Sequence, residues 1–288
     1  MQGISCTLDV AENTEKLLQA MEATLDAEPD LLVLSELANV PMFTSESIDR
    51  HFQMAESIPG PTTEKIREFC ARSNVHVVFP MFERAASGRY FNSAAVISPE
   101  GLIEGTLPDG RTVPAFRKLH IPASTDPDGS VRSNEKFYFY PGPGFAAFDT
   151  KLGRLGILIC WDKRYAEAWR IWGLLGASIV INPIATWGTW RGSTYLDELR
   201  IAAMNNQYYV VGCARAGRDS IGYEKAYVGG AHIVGPDGNV LSSQPDEIEG
   251  HYIWANLDLS EVDRHRRMTP IYRDRRPELY SLLTDNRF

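Results

Sequence analysis

Leu155-Gly156-Ile157-Leu158-Ile159-Cys160-Trp161-Asp162-Lys163-Arg164-Tyr165 reads as a buried strand that delivers a thiol into a turn. The run up to Ile159 is apolar without alternation, as a strand covered on both faces requires. Asp162 to Tyr165 break that run, and Ala166–Leu175 then reads as a helix. Ligand sites of α/β sheets lie outside the carboxyl ends of the strands. Cys160 occupies such an end, where backbone N–H groups of the turn could hold a developing oxyanion. Cys6, Cys70 and Cys213 lack this setting and read as structural or incidental.

Two charged residues share the placement. Glu36 ends the run Leu31-Leu32-Val33-Leu34-Ser35, and Lys118 closes Phe116-Arg117-Lys118 ahead of His120-Ile121-Pro122. The plain alternatives are a salt bridge or helix cap for Glu36 and a solvated surface charge for Lys118. A thiol needs a base or a positive neighbour to become a nucleophile near neutral pH. A buried carboxylate supplies the base. A buried ammonium lowers the thiol pKa and stabilises an oxyanion.

Helices and strands alternate around these residues. Residues 13–27 carry Leu17, Leu18, Met21 and Leu25 on one helical face, with Asn13 or Thr14 as the cap. A second helix follows Pro61-Thr62-Thr63 with Ile66, Phe69 and Cys70 inward, and Val75–Phe79 is the next strand. Ala94–Ile97 leads through Ser98-Pro99-Glu100-Gly101 into a strand from Leu102, a hairpin by its Pro and Gly offsets. Residues 123–134, with Pro127, Asp128 and Gly129, read as an exposed loop. Then come a strand at Ile179–Asn182, a helix near 194–206 and a strand at Tyr208–Cys213. Ala231–Val234 and Asn239–Leu241 flank a second hairpin, Gly235-Pro236-Asp237-Gly238. Units that twice end in a Pro-acidic-Gly hairpin predict two similar halves, stacked sheet on sheet with helices outside, in the α/β class. No Gly/Ser linker divides the 288 residues, so one domain over 1–288 is expected.

Composition narrows the partners. Hydrophobic residues are 44%, charged residues 23%, and the net charge is −8. A nucleic-acid footprint needs a clustered basic surface. The one basic cluster, Arg264, Arg266, Arg267, Arg273, Arg275 and Arg276, reads as solvated or facing a subunit. No CxxC pair or Cys/His cluster has zinc spacing, and four free thiols suit a reducing cytosol. Met1 to Cys6 lacks a signal-peptide pattern, and no apolar run approaches the roughly 18 residues of a membrane span. The expectation is a cytoplasmic protein with a small-molecule substrate, no nucleic-acid or membrane partner, and no metal.

Six motifs in order resemble the nitrilase (carbon–nitrogen hydrolase) superfamily. They are Leu34-Ser35-Glu36-Leu37, Arg117-Lys118-Leu119-His120-Ile121-Pro122, Glu135-Lys136-Phe137-Tyr138-Phe139, Gly156 to Tyr165, the Gly235-Pro236-Asp237-Gly238 hairpin, and Asp274-Arg275-Arg276-Pro277-Glu278-Leu279-Tyr280. The resemblance implies a four-layer αββα sandwich that pairs with a second copy as a homodimer or homotetramer, with the tail over 260–288 at the subunit interface. It implies a Glu36–Lys118–Cys160 triad, with Glu135 as a further glutamate of the site and no cofactor. In that scheme Glu36 takes the thiol proton, Lys118 and the Trp161 N–H hold the oxyanion, and Glu135 holds Lys118 and the substrate nitrogen.

The stretch Cys160 to Arg170 is similar to the N-carbamoyl-amino-acid amidohydrolase branch. There the basic residues after the cysteine grip the substrate carboxylate. The resemblance gives that role to Arg164 and Lys163, since a guanidinium fork suits a carboxylate. The alternative is an Arg164–Glu167 pair along the helix. Trp187, in Ala185-Thr186-Trp187-Gly188-Thr189-Trp190, would line the pocket mouth or pack a dimer contact. Phe137 to Tyr140 would shape the pocket or fill the core. The implied reaction converts an N-carbamoyl amino acid to amino acid, carbon dioxide and ammonia. An aliphatic or ω-amidase, a nitrilase, or a catalytically silent binding protein are the alternatives. Ser35 stands where the family has proline, and Ala214-Arg215-Ala216-Gly217 where it has Asn-Arg-x-Gly. These departures touch substrate choice more than the triad. Gly230-Ala231 replaces a Gly-Ser pair, and Gln2 matches a position several residues into the family's first strand.

Overall fold

The computed structural model describes residues 1–125, 129, 131–187, 189–221 and 224–285. Its centre is a seam between two sheets. The first runs in the order Leu31–Val33, His76–Arg84, Tyr90–Ser98, Gly101–Ile103, with Phe116–Arg117 also paired to Tyr90–Ser98. The second runs Phe148–Thr150, Gly153–Ile157, Ile179–Ile184, Tyr209–Ala214, Ala231–Val234, Val240–Gln244. Of the strands that lead to the site, Phe116–Arg117 is antiparallel to its neighbour Tyr90–Ser98 and the others are parallel to a neighbour. Leu31–Val33 pairs so with His76–Arg84, and the second sheet's three central strands pair so with one another.

Period-2 alternation sorts the side chains. Val33, Val78, Ala94 and Val96 enter the seam and share one core with Leu155, Ile157, Ile179 and Ile181. Their sequence neighbours Leu32, Leu34, Val77, Phe79, Ala95 and Ile97 form a second core with the helices Val10–Glu22 (Leu17, Met21) and Pro61–Ser73 (Ile66, Phe69, Cys70). Helices Ala166–Leu174 and Thr189–Asn206 cover the second sheet. Trp172 Nε1 donates to the Ile157 carbonyl at 3.0 Å. A Cβ at Gly156 would sit 2.5 Å from the Trp172 ring, so that strand position has room only for glycine. The layers are helix, sheet, sheet, helix.

Some local readings change. The first helix begins at Val10, capped by Asp9, whose Oδ1 accepts from the Ala11 and Glu12 N–H groups at 2.9 and 3.0 Å. Asn13 and Thr14 are therefore inside the helix and buried, and Ala23–Ala27 is a separate 3₁₀ turn. Asp9 with Glu12 three residues on was the better start signal. Residues 123–134 are more than a loop, since Ala123–Thr125 pairs antiparallel with Val131–Asn134. Pro127 and Asp128 lie outside the described residues. Tyr138 and Phe139 belong to a core cluster with Phe43 and Phe82, while Phe137 and Tyr140 are exposed. Within the basic cluster, Arg264, Arg273 and Arg276 pair with Glu261, Asp274 and Glu278, and Arg266 donates to the Ala177 carbonyl. Among the described residues no helix is long and apolar enough to cross a membrane.

Candidate active site

Strand ends from both sheets converge at one place. From the first sheet come Glu36, just beyond Leu31–Val33, and Lys118, directly after Phe116–Arg117. From the second come Cys160, beyond Gly153–Ile157, and Ala185, directly after Ile179–Ile184. Lys118 Nζ donates to Glu36 Oε1 at 2.9 Å and to Glu135 Oε2 at 2.8 Å. Glu36 Oε1 also accepts from Asn92 Nδ2 at 2.8 Å, and its Oε2 accepts from the Ala185 N–H at 2.8 Å. A carboxylate offers about four acceptor positions. Three are filled by fixed donors, and one on Oε2 is left for a proton.

Backbone conformation holds the two reacting groups. Cys160 has φ +46°, and Leu37, next to Glu36, has φ +51°. Left-handed backbone at non-glycine residues costs of order 1–3 kcal/mol and persists only where surroundings over-determine it. The surroundings do so with polar ties across the seam. Asp162, fully buried, accepts from the Ile159 N–H at 3.1 Å, the His120 N–H at 2.8 Å and the Leu119 N–H at 3.2 Å. It thereby fastens the cysteine turn to the lysine strand. Arg215, also fully buried, donates from Nη1 to the Leu37 and Val40 carbonyls, each at 2.6 Å, and pairs with Asp219. It fastens the glutamate loop to the end of Tyr209–Ala214.

Burial dominates the electrostatics. Desolvation and then the Glu36 charge push the Cys160 thiol up to about 12, against the opposing pull of Lys118. The resting group is a thiol, and a base must take its proton as it attacks. Burial alone would lower Lys118, but Glu135 and Glu36 outweigh it and hold the ammonium well above its ordinary range. Burial pushes the Glu135 carboxyl up to about 7, against the pull of Lys118 and with a further push from Glu36. A raised folded pKa gives stability that is complete below the unfolded value and is lost as pH rises through the folded one. Glu135→Gln removes this dependence. Its urea-unfolding free energy should gain on wild type by about 3 kcal/mol between pH 4.5 and pH 7.5. A parallel pH dependence in the two proteins would contradict the raised Glu135.

Cys160 lines a small pocket of about 30 Å³ together with Glu135, Trp161, Ala185, Thr186 and Trp187. A larger cavity, about 430 Å³, lies instead between Leu31–Val33, Val211–Cys213 and the extended segment 252–257, and none of the four converging groups lines it. Trp161 and Trp187 are thus at the pocket. Lys163 and Arg164 are not among its lining residues. Both pair with Glu198 on the helix Thr189–Asn206, so Arg164's partner is not Glu167. Among the described residues no group of three His, Cys, Asp or Glu is arranged to hold a metal ion.

Sequence reasoning missed Asn92, and gave no part to Asp162 or Arg215. Asn92 had a signal, a lone amide within the strand Tyr90–Ser98. Asp162 stood in the quoted motif without a role. Arg215 was read only as part of an altered motif, because a buried arginine cannot be told from an exposed one by spacing.

A profile described as carbon-nitrogen hydrolase matches residues 1–267, and the chain belongs to that family. It is a hydrolase of carbon–nitrogen bonds other than peptide bonds. The chain is 30% identical to a tomato (Solanum lycopersicum) protein named N-carbamoylputrescine amidase, over 97% of this chain and 92% of that one. It is 28% identical to human (Homo sapiens) omega-amidase NIT2, over 80% and 78% of the two chains. A solved carbon-nitrogen hydrolase from Helicobacter pylori G27 superposes with a TM-score of 0.82 at 28% identity, covering 100% of this chain and 98% of that one.

Proposed function

We propose that the chain hydrolyses an N-carbamoyl amino acid by covalent catalysis at Cys160. The observation that carries the chemistry is the closed chain Glu36–Lys118–Glu135 beside that thiol. Glu36 takes the thiol proton through its remaining acceptor position. Sulfur adds to the ureido carbonyl, and Lys118 with the Trp161 N–H receives the developing oxyanion. Glu36 returns the proton to the leaving nitrogen, the C–NH₂ bond breaks, and ammonia departs. This leaves an S-thiocarbamate on Cys160, the ureide's equivalent of a thioester. Water, deprotonated by Glu36, then attacks that carbon and the C–S bond breaks. The carbamate so released loses carbon dioxide to give the amino acid. One base serves both half-reactions.

Lys163 and Arg164 support the anionic substrate class. Two cations follow the nucleophile and share the single carboxylate of Glu198. The two relatives named above, an N-carbamoylputrescine amidase and an omega-amidase, support a linear ureide or amide. The second reading is an ω-amidase acting on dicarboxylic monoamides, for which Arg164 would serve equally. Ammonia release from N-carbamoyl amino acids, ω-monoamides, neutral amides and nitriles separates these. Ureido acids should have the highest kcat/KM. Turnover of plain amides alone would remove the ureide assignment.

A further inference from the structure

The two cations proposed to meet a substrate carboxylate already hold a carboxylate of the protein. Glu198 accepts from Lys163 Nζ through Oε2 at 2.5 Å and from Arg164 Nη1 through Oε1. The three side chains differ in access to water. Lys163 is 7% exposed, Glu198 20% and Arg164 31%. Lys163 also lies over the Tyr195 ring, 5.8 Å from its centre. Lys163 and Arg164 belong to the same 3₁₀ turn, Cys160–Arg164, that begins with the nucleophile.

These differences decide which contact can open. Parting Lys163 from Glu198 would strand an ammonium with almost no water, which is expensive. Arg164 can change partners while partly solvated, where an ion pair is worth little. Its planar fork accepts a second carboxylate in place of the first. We propose that Glu198 is an internal counter-ion that sets substrate charge, holding Arg164 in the resting enzyme and yielding it to a substrate carboxylate while keeping Lys163. This rests on the proposed part of Arg164 in carboxylate recognition. It makes Glu198 a specificity-determining residue. An anionic substrate binds by displacing Glu198 from Arg164, so its affinity lies below what a free Arg164 would give. A neutral substrate meets no such competition.

The test is isothermal titration of Cys160→Ala protein with two matched pairs, N-carbamoylglycine against propylurea and succinamate against butyramide. Adding Glu198→Gln should raise the affinity ratio of anion to neutral ligand about tenfold, the gain from one charge-assisted hydrogen bond freed of its competitor. Adding Arg164→Gln as well should abolish that gain. Thermal unfolding of each variant checks that it folds. Glu198→Asp, which keeps the charge on a shorter arm, should raise the ratio less than Glu198→Gln. An unchanged or lowered ratio in Glu198→Gln, or a gain that survives the loss of Arg164, overturns the inference. If only the amide pair binds and shows the gain, the ureide reading fails and the counter-ion stands. If neither pair shows anion preference in any variant, the counter-ion fails, while hydrolysis of neutral amides by wild type would still uphold the thiol chemistry.

Discussion

Replacing Cys160 with alanine is expected to lower ammonia release about 10⁴-fold or more, the scale seen when a catalytic nucleophile is lost. Loss of the thiol leaves Glu36 without a proton to take, and the bound substrate without an attacking atom. Intact mass gives a second measurement. Wild type mixed with substrate and quenched in acid should carry the acyl adduct on Cys160, and the alanine variant none. Cys6, Cys70 and Cys213 are buried, whereas Cys160 is partly accessible, so iodoacetamide should mark Cys160 first. Because burial and Glu36 push this thiol up to about 12, alkylation should keep accelerating into the alkaline range with no plateau near neutrality. Undiminished turnover by the alanine variant, or an adduct on another cysteine, removes the nucleophile from this account.

Lys118→Met should cost both activity and stability. The ammonium is fully buried and is the shared partner of Glu36 and Glu135. Removing one member of a buried pair typically destabilises by about 3–5 kcal/mol, because the other is left as an uncompensated charge. Loss of an oxyanion donor typically lowers kcat by about 10²–10³-fold. The variant removes the cation that opposes the upward push on Glu135, so the protonated form of that carboxyl is favoured further. A raised folded pKa makes stability fall as pH rises. The deficit measured in urea should therefore be smallest near pH 4.5 and grow toward neutrality. Wild-type Lys118, held well above its ordinary range, contributes fully throughout that interval and is lost only at strongly alkaline pH. A deficit that is flat with pH would mean that the carboxylates find other partners.

The residues at the strand ends could be picked out because burial leaves a strong mark on sequence. Glu36 and Cys160 each close an apolar stretch, Lys118 closes the short strand Phe116–Arg117, and a charge at such a place needs a reason. Whether they meet could not be read from the chain, because Glu36 and Lys118 are 82 positions apart and only sheet packing joins them. The two hairpins were legible from their Pro and Gly spacing. The first helix cap was misplaced because Asn13 and Thr14 are good capping residues that the fold uses in its interior. Asn92, Asp162 and Arg215 act through hydrogen bonds to backbone or to one another's neighbours, and those contacts have no spacing rule. The Glu198 bridge was out of view for the same reason, since local helix geometry offers Arg164 only Glu167.

The acid–base arm of the site is carried by one half of the sandwich and the sulfur by the other. Their relative position is therefore set by the packing between them, at Val96, Ile157 and Ile181, together with the polar ties of Asp162 and Arg215. A methylene trimmed there would thin or tilt the gap by a fraction of an ångström while the whole remained folded. Turnover then works as a gauge of interior fit, falling together with the roughly 0.5–1.5 kcal/mol of stability that an Ile→Val change there costs. Selection for speed in this chain would accordingly act on the core as well as on the site itself.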